Sequence, residues 1–76
     1  MLSQASGVFR MYDRGNSGAM KLSELYSAVQ SIFTINSLGT PSYQKTLQAV
    51  QKMAPGAKEF LKLEDFQSIL RVLMLE

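Results

Sequence analysis

Asp13 to Glu24 read DRGNSGAMKLSE, and the reading of this twelve-residue stretch decides the fold. Gly18 stands sixth in it and Glu24 closes it. Val8, Phe9 and Tyr12 precede the stretch, and Leu25, Val29, Ile32 and Phe33 follow it. Both flanks carry apolar residues at three–four spacing, the period of a helix with one buried face. A hard cation such as Ca²⁺ takes about six to eight oxygens. A loop of this length can wrap one by offering oxygens at alternate positions, turning at a glycine and closing on a bidentate carboxylate.

Working outward, Leu2, Ala5, Val8, Phe9 and Tyr12 form a helical stripe from Leu2 to Tyr12, with Ser3 as its N-cap. Gly7 weakens this helix by up to about 1 kcal/mol relative to Ala, so it needs tertiary packing. After the loop, a second helix is expected from about Ser23 to Ile35, burying Leu25, Ala28, Val29, Ile32 and Phe33. Residues 36–41 read as a linker broken by Gly39 and Pro41. Thr40 and Pro41 fit the N-cap and first turn of a third helix, whose apolar face would be Tyr43, Leu47, Val50 and Met53. Ala54 to Ala57 (APGA) ends it. A fourth helix begins around Leu63, with Phe66, Ile69, Leu70, Leu73 and Met74 as its stripe.

The order is therefore helix–loop–helix, linker, helix–loop–helix. Met20 to Leu25 (MKLSEL) aligns with Leu61 to Phe66 (LKLEDF), 41 residues on, each ending in an acidic residue and then a large apolar one. On these residues the chain resembles the EF-hand family over essentially its whole length. The resemblance implies an all-α lobe: hand one over about 2–35, a linker over 36–41 and hand two over about 42–75. It also implies a two-residue β-bridge between the loops, with Met20 and Leu61 as the partners. The calcium ligands it implies are the Asp13 carboxylate, the Ser17 hydroxyl, the Ala19 carbonyl and two oxygens of Glu24, about five against the usual six to eight. Gly15 stands at the third position, where a donor is needed, and Lys21 at the ninth; Arg14 adds a second positive charge. A calcium-free loop, held by hydrogen bonds from backbone N–H groups to Asp13 and Glu24, is the leading expectation. A weak site with a dissociation constant on the order of millimolar is the alternative. The second loop, Ala54 to Asp65, offers Gly56, Lys58 and Phe60 where oxygens are required and is expected to bind no calcium. The apolar pattern from Val8 to Leu25 and from Phe66 to Leu73 is also similar to penta-EF-hand proteins of the calpain type. That likeness implies a regulatory or accessory domain of a larger enzyme.

Composition narrows the function. Seventy-six residues, 46% of them hydrophobic, suffice for one small core. Cysteine and histidine are both missing, which removes thiolate zinc sites, disulfides and the commonest general base. No serine has a base partner and no phosphate-loop ending is present, so no enzyme signal survives. The net charge of +2 comes from scattered basic residues, which argues against a nucleic-acid interface. No apolar run approaches the roughly 20 residues of a membrane span, and no secretory signal is seen, so a cytoplasmic setting is the default. An initial Met followed at once by a helical pattern suggests a domain taken from a longer chain. The run from Ile69 to Leu75 (ILRVLML) is wider than one helical stripe requires. Val72 and Leu75 should spill onto a second face. We therefore expect a non-enzymatic interaction or structural module. Met53, Ile69, Val72, Leu73, Met74 and Leu75 would meet an amphipathic helix or a neighbouring EF-hand.

Overall fold

The computed structural model describes residues 2–75, with the side chains of Leu2, Ser3 and Arg14 outside the described set. Over the described residues the fold is all-α, with four α-helices and one small sheet. Helix α1 spans Leu2–Tyr12, α2 Leu25–Ile35, α3 Tyr43–Met53 and α4 Leu63–Leu75; strands β1 (Ala19–Lys21) and β2 (Phe60–Lys62) lie between the helices of each pair. Helix α1 starts at Leu2, so Ser3 stands in its first turn instead of capping it. The expected start of the second helix at Ser23 becomes a 3-10 turn over Leu22–Glu24 leading into α2.

The strands pair antiparallel, with Met20 opposite Leu61 at the centre. Successive strand residues point to opposite faces. Met20 and Leu61 therefore turn inward and are buried, whereas Lys21, Phe60 and Lys62 face solvent. Helix α1 packs on α2 and α4, and α3 packs on α4. One core results. Phe9 and Phe66 meet in it with ring centroids 6.0 Å apart, among Leu25, Ile32, Ile69 and Leu70.

Two expectations for α3 are corrected. Its cap is Ser42, whose hydroxyl accepts the Lys45 N–H at 3.1 Å, and neither Thr40 nor Pro41 lies in its first turn. Thr46 adds a second lock by donating its hydroxyl to the Ser42 carbonyl at 3.0 Å. The buried face is Thr46, Ala49 and Val50; Tyr43, Leu47 and Met53, expected inside, are 60%, 41% and 37% exposed. Small side chains let α3 lie close on α4, and the larger ones are turned to the flanks. Tyr43 finds a partner there: its ring meets Tyr26 of α2 edge-on at 5.4 Å, and the Tyr26 hydroxyl donates to the Pro41 carbonyl. The linker is thereby strapped across α2.

Helix α2 ends where the Asn36 turn residue suggests, by a specific device. Ser37 takes a left-handed φ of 56°, its N–H reaches the Thr34 carbonyl, and the Leu38 N–H reaches that of Phe33. These paired bonds satisfy carbonyls that the helix end would otherwise leave open. The Asn36 amide also donates to Gln4, tying the end of α2 to the start of α1.

Candidate functional site

The loop from Asp13 to Glu24 begins where α1 runs out and returns through β1, so the helices hold both of its ends. Asp13 is largely buried, at 9% exposure. Its Oδ1 accepts the Ser17 N–H at 3.0 Å and lies 2.9 Å from the Ser17 hydroxyl; its Oδ2 accepts the Gly18 N–H at 2.9 Å. Gly15 and Gly18 take φ of 75° and 87°, and Asn16 sits at 55° between them. Left-handed conformations at these positions curl the backbone so that its N–H groups converge on Asp13, and glycine adopts them without steric penalty. The Ser17 hydroxyl also lies 3.2 Å from the Ala19 carbonyl, the second acceptor open to its single proton.

Partial burial by itself would raise the Asp13 carboxyl pKa. The Ser17 hydroxyl and the Gly18 and Ser17 N–H groups outweigh it and hold the pKa below its ordinary value. A depressed folded-state pKa contributes stability that is present above the unfolded carboxyl range and is lost as pH falls through the folded value. Amide exchange at Ser17 and Gly18 should therefore accelerate relative to its intrinsic rate as pH drops below about 4. Asp13→Asn should flatten that dependence; an unchanged profile in the variant would remove Asp13 as its source.

Three of the four expected ligands come together. Ser17, Ala19 and Glu24 line one small cavity of about 100 Å³ with Tyr12, Lys21 and Phe60. Asp13 is not in that lining but touches it through Ser17, its Oδ1 lying 2.9 Å from the Ser17 hydroxyl. Glu24 is half-buried and already makes an interaction of its own. Lys21 brings a positive charge to the same cavity, and Gly15 supplies no donor. Among the described residues, no three of His, Cys, Asp and Glu gather closely enough to hold a metal ion. Two carboxylates beside a lysine do not fit a tight calcium site. In the second loop, Ala54 occupies the place equivalent to Asp13 and is buried in the core, turned back by an Ala57 N–H to Ala54 carbonyl bond.

The expected partner surface divides. Ile69 and Leu73 lie in the core, because α1 and α3 close over that face of α4. Val72 and Met74 are half-buried, Met53 is exposed and Leu75 is 82% exposed. Sequence reasoning expected an apolar groove between helices but did not place it: one of about 540 Å³ lies between α1 and α2, where Met11 (79%) and Ile35 (56%) are exposed beside Val8 and Tyr12. It also missed the solvent-facing Phe60, although strand alternation about the buried Leu61 would have placed it outward. No family model matches the chain, and no curated protein matches it. Among the described residues, no helix is long and apolar enough to cross a membrane.

Proposed function

We propose that this chain is a non-enzymatic, EF-hand-like interaction or structural module whose first loop works without calcium. The observation that carries this reading is the engagement of both Asp13 oxygens within their own loop. Both of its oxygens are taken by hydrogen-bond donors of its own loop. Such a loop is self-supporting, and an ion would have to compete with bonds already made. The two-strand pairing of Met20 with Leu61, in the register that the family resemblance implies, supports a rigid pair of hands. The exposed side chains of Met11, Ile35 and Leu75 support contacts with a partner protein or helix.

A weak calcium sensor is the second reading, favoured by the single cavity that gathers Ser17, Ala19 and Glu24. Calcium titration followed by ¹⁵N–¹H shifts separates the two. The expected result is no saturable movement of the Gly18 amide up to about 5 mM Ca²⁺, past the range of the weakest calcium modules. Saturable movement that Glu24→Gln abolishes would replace the module with the sensor.

A further inference from the structure

We infer that the outer end of the β1–β2 ribbon is a docking site for an acidic protein segment carrying an apolar side chain. This inference rests on the interaction-module reading and adds a surface to it. Where the strands diverge, Lys21–Ser23 leaves β1 and Lys58–Phe60 enters β2, and the two segments enclose a cavity of about 360 Å³. The Leu22 N–H donates to the Glu59 carbonyl at 2.8 Å and closes the ladder at that point. The cavity is therefore backed by hydrogen-bonded main chain.

Its chemistry is mixed in a particular way. Phe60 is 54% exposed, on the same face as Lys21, its direct cross-strand partner. Lys58 lines the cavity beside them, and Lys62 stands on the same face of β2, opposite Ala19. Lys21 and Lys58 thus line the cavity with one exposed aromatic ring, and Lys62 stands further along the same face. Two carboxylates partly offset them: Glu59 in the lining, and Glu24 in the adjoining cavity that Lys21 and Phe60 share. The local excess of positive charge favours carboxylates, and Phe60 and Leu22 offer apolar contact to a side chain between them. A concave site of this volume takes a side chain or two of a polypeptide, whereas a bilayer meets a protein through a protruding face. Charge and shape together select an acidic segment as the occupant.

The test uses ¹⁵N-labelled protein and a short glutamate-rich peptide with one central leucine. A lysine-rich counterpart and phosphatidylserine vesicles form the other arms. The glutamate peptide should shift the amides of Lys21–Ser23 and Lys58–Phe60 and weaken with added salt, since exposed charges are screened over about 10 Å at 0.1 M. Reversing both charges, Lys21→Glu with Lys58→Glu, should lower its affinity about tenfold. Phe60→Ser should lower it with the salt dependence unchanged. All three residues are exposed, and an unchanged melting curve verifies that the fold is kept. No shift, equal binding of the lysine peptide, or response to vesicles alone overturns the site. Peptide shifts confined to the α1–α2 groove overturn it as well, while leaving the interaction-module reading in place.

Discussion

Phe66→Ala is expected to remove about 3–5 kcal/mol of stability, the range for deleting a buried aromatic ring. A domain of this length holds roughly 4–11 kcal/mol in total, at about 0.05–0.15 kcal/mol per residue. The variant should therefore lose between about a quarter and all of its stability. Phe66 has no exposed surface, stands in the second helix pair, and meets Phe9 of the first at 6.0 Å. Removing its ring opens a void at the point where the two helix pairs share their core, and neither pair can collapse into it without pulling away from the other. Urea denaturation measures the loss. Leu75→Ala is the internal contrast: at 82% exposure it should fall within about 0.5 kcal/mol of the parent. A loss below about 1 kcal/mol at Phe66 would mean that the two helix pairs are not held together through this contact.

Leu61→Ala follows, with an expected loss of about 2–5 kcal/mol. Leu61 is 1% exposed and lies directly opposite Met20, also 1% exposed, beneath a ribbon of three residues per strand. So short a ribbon is not stable by itself and stands on the core under it. Truncating Leu61 takes away that footing, and the amides of the ribbon should lose exchange protection along with global stability. Met20→Ala should do the same. The two losses should be non-additive by about 0.5–3 kcal/mol, as expected of residues in contact. Strict additivity would show that the strands are held by their flanking helices instead of by this pair.

Much of this was legible from residues alone, and the reason is locality. The stripe Leu25, Ala28, Val29, Ile32 and Phe33 appears at helical period in the chain and is buried as a set in the fold. The same holds for Phe66, Ile69, Leu70 and Leu73. Gly18 at the sixth loop position does adopt the left-handed conformation that its place suggests. At the candidate site, Asp13, Ser17, Ala19 and Glu24 all belong to the segment between α1 and α2, but their spacing could not say which way the carboxylate would turn. It turns to Ser17 and Gly18.

Helix α3 shows where pattern fails. Tyr43, Leu47, Val50 and Met53 make the stronger hydrophobic signal, yet Thr46 and Ala49 join Val50 inside. An alanine and a threonine register weakly on any scale of apolarity. Their burial reflects how close α4 can come, a property of a neighbour in space. Likewise, the breadth of the run from Ile69 to Leu75 announced a second apolar face, and only the closing of α1 and α3 over α4 decides that Ile69 and Leu73 are interior while Leu75 is outside. By itself the sequence determined the helices, the loop between them and the all-α class, because periodicity and glycine act within a few residues. The facing of α3, the division of α4 between core and surface, and the ribbon's lysine-flanked Phe60 were decided by tertiary structure. Those depend on which helix faces arrive at the same place, and distant parts of the chain settle that together.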